Sequence, residues 1–277
     1  MISIIIPAFN ASGHIGESLA SINANLADTR CLSDVEVLIG VDGCQKTYEC
    51  VKHLRNVFYF SKNVGPYVIR NTLVDFAKNE NILFFDADDV MDIEAIKNIT
   101  DVLRESDYAR LKYMNFADGF ITTWPGTPDE RGLVSSPYAS STRFITIEHA
   151  RKVSREIQAA DSQQAQQLMN KYSTVAHCQL AIKKRLFNSL NGFYPWKCAA
   201  DTEFINRLAH NNFKQGELHR VCFFRRLHGS NLTMRKSTGW NSPIRNEYWN
   251  IISEKRQSGR WNNPETKIIE KHAHATI

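Results

Sequence analysis

Four short apolar runs, each followed by a polar turn and then by apolar residues at helical spacing, set the strongest limit on what this chain can fold into. The runs cover residues 2–6, 35–41, 57–60 and 82–85. Strands that alternate with helices form βαβ units, whose strands lie parallel in one sheet. The pattern therefore predicts an α/β fold built on a parallel sheet.

The turns that follow these runs carry polar side chains. They are Pro7-Ala8-Phe9-Asn10, Asp42-Gly43, Asn63-Val64-Gly65 and Asp86-Ala87-Asp88-Asp89. Ligands of parallel sheets bind outside the carboxyl ends of the strands, so we expect the four turns to converge on one edge. Neither a G-x-G-x-x-G nor a Walker sequence follows the first run, which disfavours a dinucleotide or P-loop site.

The acidic turn from Asp86 to Asp89 is the sharpest chemical feature. Three carboxylates within four residues repel each other unless a cation compensates them. Hard oxygen ligands suit Mg²⁺ or Mn²⁺, and these ions in turn suit a diphosphate. A solvated acidic turn whose aspartates cap a helix is the alternative, and so short a motif does not decide between the two.

The net charge of +5 hides an uneven distribution. Residues 1–120 hold 11 Lys and Arg against 17 Asp and Glu, which leaves 23 against 12 for residues 121–277. Such asymmetry predicts two surfaces with different partners. No apolar run approaches the roughly 20 residues that cross a bilayer, and the six cysteines form no C-x-x-C pair. We therefore expect a cytoplasmic protein with reduced thiols and no transmembrane segment.

The pattern changes after about residue 110, within what we predict to be one fold. Asp118-Gly119 between two apolar runs indicates a hairpin, and the Ser-rich stretch 134–142 indicates a loop. Residues 146–170 have helical spacing, with Thr146 as a candidate N-cap.

Three later segments extend the motif order. They are Asn191-Gly192-Phe193, Ala200-Asp201-Thr202-Glu203-Phe204 and Arg226-Leu227-His228. Together with the four turns and Arg70-Asn71, this order resembles the family-2 nucleotide-sugar glycosyltransferases over about residues 1–233. The resemblance implies a GT-A fold, with a Rossmann-like, mostly parallel sheet flanked by helices and a C-terminal acceptor-side region. It divides the chain into a donor-binding half (1–110), an acceptor-binding and catalytic half (111–233) and a basic C-terminal extension (234–277).

The same resemblance implies the residues that bind the donor. They are Pro7, Ala8, Asn10, Asp42, Gly65, Arg70, Asp86 and Asp89. Asp42 would accept hydrogen bonds from the base or ribose, Asp86 would hold the ribose, and Arg70 would donate to the diphosphate. For Asp42 the alternative is capping of the next helix, and for Arg70 it is a surface ion pair.

The resemblance assigns metal binding and catalysis to residues outside the donor-binding set. The resemblance implies that Asp88 and His228 hold Mn²⁺ or Mg²⁺, although an ordinary surface histidine is the alternative for His228. Asp201 would be the general base of a single, inverting displacement. Three further residues are weaker candidates for acceptor or lid contacts: Trp196, Arg226 and Trp240. Trp196 has a core position as its alternative.

Two departures from the family pattern bear on function. Ala200 stands where the family usually has Glu before its catalytic Asp. Asp42-Gly43-Cys44 stands where the family usually has Asp-Asp-Gly-Ser, which leaves Asp42 as the only acidic residue at that turn. The predicted activity is transfer of a sugar from a nucleotide sugar, expected to be a UDP-sugar, to a glycan or glycoconjugate hydroxyl. One alternative is transfer to hydroxylated bases of DNA, because the basic C-terminal part interleaves aromatic residues. Another is a non-catalytic nucleotide-sugar-binding module, which the Ala200 departure motivates.

Overall fold

The computed structural model of the protein describes residues 1–27, 35–117, 133–136, 139–143, 146–269 and 274–276. Its strands are β1 (Ile2–Ala8), β2 (Val35–Asp42), β3 (Val57–Phe60), β4 (Asn81–Phe84), β5 (Val90–Met91), β6 (Tyr108–Ala117), β7 (Leu133–Ser136), β8 (Ala139–Arg143), β9 (Thr174–Lys183), β10 (Gln215–Gly216), β11 (Phe223–Leu227) and β12 (His274–Thr276). Its helices are α1 (Ile15–Ala27), α2 (Gln45–Val51), α3 (Pro66–Phe76), α4 (Ala95–Arg104), α5 (Ile147–Ala159), α6 (Ser162–Tyr172), α7 (Lys184–Ser189), α8 (Ala200–His210) and α9 (Pro243–Ser258).

One mixed sheet runs in the order β12-β3-β2-β1-β4-β9-β6-β11-β5, and β10 pairs with β6. β1 is parallel to β2 and β4, and β2 is parallel to β3. β9 is antiparallel to both β4 and β6, and therefore joins this parallel part to the parallel pair β6 and β11. The predicted α/β class with its helix-flanked, parallel βαβ part is confirmed, while β9, β5 and β12 make the sheet as a whole mixed.

The sheet is covered by helices on both faces. Ile2, Ile4 and Ile6 of β1 pack into the core on one face, together with side chains of α1 and α4. Ile5 packs on the other face with side chains of α3 and α8. Because β1 is buried on both sides, its sequence is a continuous apolar run rather than an alternating one.

The region after β6 differs in part from the sequence prediction. Thr146 caps α5 as predicted, since its side chain accepts from the backbone N–H of His149. The helix predicted over 146–170 is two helices, because Asp161 caps a second one by accepting from the N–H of Gln164. The loop prediction for 134–142 was wrong, since β7 and β8 pair there through backbone groups, which any residue type supplies. The predicted hairpin at Asp118-Gly119 lies outside the described residues.

The C-terminal residues return to the sheet. Ser242 caps α9, and β12 pairs antiparallel with β3 at the edge of the sheet. None of the helices in the described ranges is both long and apolar enough to cross a bilayer.

Candidate active site

The carboxyl ends of β1, β2 and β4 open into a cleft of about 920 Å³. Pro7, Ala8 and Asn10 at the end of β1, Asp42 at the end of β2 and the acidic turn after β4 all line it. The opposite wall comes from the start of α8 and from parts of residues 225–249. The convergence of the polar turns that the sequence predicts is therefore present.

Asp86 is held by side chains from two other elements. Arg70 of α3 pairs with its Oδ1 at 2.5 Å, and Gln179 of β9 donates to its Oδ2 at 3.0 Å. Arg70 is only 3% exposed and Asp86 is 28% exposed, so the ion pair is partly buried and differs from an open surface pair. The pair fixes the first carboxylate of the acidic turn against α3.

Asp88 meets the segment that follows β11. Its Oδ2 lies 2.9 Å from His228 Nε2 and accepts from Asn231 Nδ2 at 3.2 Å. His228 Nδ1 lies 2.6 Å from Ser230 Oγ. Burial raises the pKa of Asp88, but the hydrogen bond and charge of His228 and the charge of Arg225 outweigh it and hold this pKa below its ordinary value. The structure thus brings together the two residues predicted to bind a metal.

Asp89 is turned inward and is 2% exposed. Its Oδ1 accepts from the Arg226 backbone N–H at 2.9 Å, and its Oδ2 accepts from the Gln179 amide at 2.5 Å. Burial, followed by the charges of Asp88 and Asp86, raises the pKa of Asp89 well above its ordinary value. These contacts tie β11 to the acidic turn, which favours an orienting role for Asp89 over direct contact with a sugar.

Asp42 supports the turn before α3. Its Oδ1 accepts from the Val64 N–H at 2.6 Å and its Oδ2 from the Gly65 N–H at 3.0 Å. Gly65 has a φ of +91°, which favours glycine. Burial raises the pKa of Asp42, and the two backbone hydrogen bonds and the charge of Arg235 oppose that rise. Asp42 does not cap α2, the next helix, whose N-cap residue is Cys44.

Asp201 stands in the first turn of α8, on the opposite wall. Its Oδ1 accepts a hydrogen bond from the Tyr67 hydroxyl at 2.8 Å. Tyr67 is 3% exposed, and its ring packs against Phe193 with centroids 5.4 Å apart. Tyr67 and Arg70 lie one turn apart on α3, so this one helix holds both Asp86 and Asp201.

The three weaker candidates for acceptor or lid contacts are placed differently. Trp240 lines the cleft. Arg226 lies beneath the acidic turn, where its Nε donates to a carbonyl of the turn at 2.9 Å and its guanidinium pairs with Glu17. Trp196 is not among the residues that line the cleft, and it stacks on Tyr248 with ring centroids 4.5 Å apart. Arg226 and Trp196 therefore brace the surroundings of the site.

The sequence did not indicate several residues of the cleft, among them Tyr67, Gln179, Asn231 and Arg245. Gln179 could have been recognised as a polar residue directly before the apolar residues of β9. Asn231 gave a signal, an amide three residues after His228. Tyr67 gave none, because its partner Asp201 lies 134 residues away in the sequence.

The donor atoms around Asp88 fit a shared divalent cation. Within the described ranges, no three His, Cys, Asp or Glu side chains are grouped so that they hold a metal on their own. Asp88 Oδ2 and His228 Nε2, however, are 2.9 Å apart, close to the roughly 3 Å that separates neighbouring ligands of an octahedral ion with ~2.1 Å bonds. Ions of this kind often take one or two protein ligands and complete their shell with phosphates and water.

Comparison with known proteins gives a family and a fold. Residues 3–184 match the family model described as glycosyl transferase family 2. No curated protein sequence matches the chain significantly.

Solved structures resemble the chain over most of its length. S. aureus TarS 1-349 has a TM-score of 0.55 and 21% identity, over 81% of this chain and 60% of that one. Its complex with UDP-GlcNAc gives 0.56 and 20%, over 83% and 59%. The mannosyltransferase PcManGT from Pyrobaculum calidifontis, in complex with GDP-Man and Mn²⁺, gives 0.54 and 15%, over 95% and 65%. At these identities the likeness shows the fold alone, and the chain spans about three fifths of the length of TarS 1-349.

Proposed function

The chain belongs to glycosyl transferase family 2 and has the GT-A fold, and from this premise we propose that it transfers a sugar from a nucleotide-sugar donor to a hydroxyl of a glycan or glycoconjugate. One observation carries the proposal. The Asp88–His228 pair and a separately held carboxylate, Asp201, line the same cleft. Transfer from a diphosphate needs stabilisation of the leaving group and a base for the attacking hydroxyl, and the two features match these needs.

We place the nucleotide against β1 and β2. Pro7, Ala8 and Asn10 form the wall there, and Asp42 keeps lone pairs for the base, since two of its roughly four acceptor positions are used by backbone N–H groups. Asp86, fixed by Arg70, is placed for the ribose. The TarS complexes with UDP and UDP-GlcNAc support a uridine donor, while the complex of the mannosyltransferase contains GDP-Man.

We assign Asp88 and His228 as the residues that hold Mn²⁺ or Mg²⁺. When bound, such an ion supplies a Lewis acid that stabilises negative charge on the departing diphosphate. The contact between His228 Nδ1 and Ser230 orients the imidazole and leaves Nε2 directed at Asp88. Arg225, whose charge already acts on Asp88, adds a positive charge that the protein itself provides.

Asp201 is the general base in this proposal. Tyr67 occupies its Oδ1, and the described residues provide no partner for Oδ2, so that oxygen is left for the acceptor hydroxyl. As the hydroxyl attacks the anomeric carbon, Asp201 takes its proton while the bond to the diphosphate breaks. A single displacement of this kind inverts the anomeric configuration.

The departure at Ala200 does not remove a group from the cleft. Ala200 is fully buried and packs in the core beneath α8, while its neighbour Asp201 lines the cleft. This supports an enzyme over a binding module that has lost its chemistry.

We also keep the proposed division of the chain. Residues 1–110 supply the donor wall, residues 111–233 supply Asp201 and His228, and residues 234–277 add Trp240 to the cleft. All three contribute to one cleft, so we expect them to act as a unit and not as separable domains.

A thermal-shift panel tests the proposal. Nucleotide sugars with UDP, GDP, CMP and dTDP are each added with and without Mn²⁺, and we expect a UDP-sugar with Mn²⁺ to raise the melting temperature most. Asp88→Asn should remove the Mn²⁺-dependent part of the shift. Asp101→Asn, at an exposed ion pair with Lys97 on α4, is the matched control and should behave as the unmodified chain. The absence of a shift with every donor would contradict the proposal.

A further inference from the structure

Four arginines in the described part of the chain are at most 5% exposed. They are Arg70, Arg207, Arg226 and Arg245. The first three pair with the carboxylates of Asp86, Glu203 and Glu17, respectively. Arg70 and Arg245 both line the cleft, but Arg70 is compensated by Asp86, whereas Arg245 has no carboxylate within ion-pair distance among the described residues.

The protein provides partners for only some of the hydrogen-bond donors of Arg245. Its Nε donates to the Thr238 carbonyl at 2.7 Å, and its guanidinium lies 5.0 Å from the centroid of the Trp240 ring. A guanidinium has five N–H donors. Burying such a cation without a counter-charge is costly, unlike burying one that has an ionic partner. An anion that enters the cleft would offset that cost.

Contacts between α9 and α8 place Arg245 on the Asp201 side of the cleft. Lys255 of α9 pairs with Glu203 of α8 at 2.7 Å, and Tyr248 stacks on Trp196 with ring centroids 4.5 Å apart. Burial raises the pKa of the Cys198 thiol, the charge of Arg245 opposes this rise, and the charge of Asp201 adds to it. By contrast, the guanidinium of Arg235 lies 5.2 Å from the centroid of the Phe9 ring, at the proposed nucleotide wall.

Arg225 marks a third position, next to the acidic turn, because the following residue, Arg226, donates its backbone N–H to Asp89, and Arg225 itself donates to the Thr233 hydroxyl at 3.3 Å. The three arginines thus follow the cleft from the nucleotide wall through the acidic turn to the proposed base. Arg245 stands at the end where the acceptor must enter.

Two other residues extend this end of the cleft. Trp249, one turn after Arg245 on α9, lines the cleft and offers an aromatic face against which a sugar ring can pack. Lys197, just before α8, also lines the cleft and is exposed, and no carboxylate in the described ranges pairs with it.

We propose that Arg245 anchors an acceptor subsite that binds an anionic group, a phosphate or a carboxylate, carried by the saccharide that receives the sugar. The inference rests on the proposed function and names its acceptor class. A planar guanidinium presents two parallel N–H donors that match an oxyanion. A glycan is favoured over nucleic acid, because the cation lies inside a cleft, whereas single-stranded nucleic acids follow an open basic groove with successive stacked bases.

Binding of inorganic phosphate tests the subsite without any turnover. UDP and Mn²⁺ are added first to fill the donor side, and phosphate is then titrated against chloride of equal ionic strength while the melting temperature is followed. We expect phosphate to stabilise the protein further, Arg245→Gln to lose that increment and keep the shift from UDP and Mn²⁺, and Arg245→Lys to keep part of it. Arg256→Gln, at an exposed arginine of the same helix bonded to Asn206, should match the unmodified chain.

Two outcomes of this titration would overturn the subsite. In the first, Arg245→Gln and Arg245→Lys both keep the full phosphate increment. In the second, Arg245→Gln loses the shift from UDP and Mn²⁺ while it stays folded, which would make Arg245 part of the donor site.

Transfer assays then test the acceptor class. A sugar phosphate, a uronic acid, the matching neutral sugar and a single-stranded DNA are compared as acceptors. We expect the anionic saccharides to have a KM at least ~10-fold below that of the neutral sugar, a preference that Arg245→Gln abolishes and Arg256→Gln keeps; the better of phosphate and uronate identifies the anion. Equal use of neutral and anionic saccharides, or transfer to DNA alone, would overturn the proposal. If no donor is turned over or hydrolysed at all, the proposed function fails, and the subsite is judged by the phosphate titration.

Discussion

The acidic residues 1–120 and the basic residues 121–277 form ion pairs with each other across the fold. Among the described residues, four ion pairs join a cation of the basic region to a carboxylate of the acidic one: Arg185 with Glu80, Arg220 with Glu94, Arg226 with Glu17 and Lys267 with Asp75. His228 of the basic region and Asp88 of the acidic region make a fifth contact between the two. Lys112 and Glu217 form a pair of the opposite arrangement. Part of the charge asymmetry is therefore complementarity between two regions of one fold.

The excess of Lys and Arg after residue 120 is therefore weak evidence for an anionic ligand. A cation that already pairs with a carboxylate of the other region gives little information about a partner. Arg245, which has no such carboxylate in the described ranges, gives much more. Arg245 in the cleft, and not the sum of charges, accordingly indicates an anionic acceptor.

The largest expected effect concerns Asp201, which belongs to the basic region and is held by Tyr67 of the acidic one. Asp201→Asn keeps the shape of the side chain and removes the base, so kcat for transfer should fall by roughly 10²–10⁴-fold. Donor binding, followed by the thermal shift with UDP-sugar and Mn²⁺, should stay close to that of the unmodified chain. Retained transfer would remove Asp201 from the mechanism.

A buried ion pair within the basic region comes next. Arg207 is fully buried, pairs with Glu203 at 2.9 Å and donates to the carbonyls of Leu190 and Gly192 at 2.6 Å each. Arg207→Met leaves Glu203 with Lys255 as its remaining ionic partner and removes the donors to the two carbonyls, so the free energy of unfolding should fall by about 3–5 kcal/mol, measured by denaturant titration. Arg256→Met, at an exposed position, should change it by less than about 0.5 kcal/mol. Equal effects of the two would show that burial does not set the strength of these pairs.

A smaller effect on transfer is expected from the hydrogen bond between Tyr67 of the acidic region and Asp201, the proposed base. Tyr67→Phe removes the hydrogen bond to Asp201, and a bond to a charged group contributes roughly 1.5–3 kcal/mol. We expect kcat to fall about 10-fold or more, with the donor-dependent thermal shift retained. Tyr59→Phe, in β3 with its ring tilted against that of Tyr48, is the control. A change confined to stability would make Tyr67 a packing residue only.

The smallest effect concerns an exposed pair between the two regions. Arg220 and Glu94 lie 3.0 Å apart, and both side chains are more than 40% exposed. A double-mutant cycle with Arg220→Gln and Glu94→Gln should give a coupling energy of about 0–1 kcal/mol that shrinks further in high salt. A coupling above this range would mean that even exposed pairs join the two regions strongly.

Local patterns in the sequence were enough for the strands and the turns that build the donor wall. The runs at 2–6, 35–41, 57–60 and 82–85 became β1 to β4, because a strand covered by helices on both faces is apolar along its length. The polar turns after them met at one edge, since parallel strands end together. The order of the motifs was sufficient to indicate the family.

Tertiary structure decided which polar groups pair. Gln179 bridges Asp86 and Asp89, Arg226 pairs with Glu17, and Arg245 is left facing the cleft, although the sequence marks neither arginine as different from the other. Helical and strand periodicities record only which face of an element is buried, over a few residues. The partner of a buried charge is chosen by which elements pack together, often from more than 100 residues away, and its cost or benefit depends on that choice.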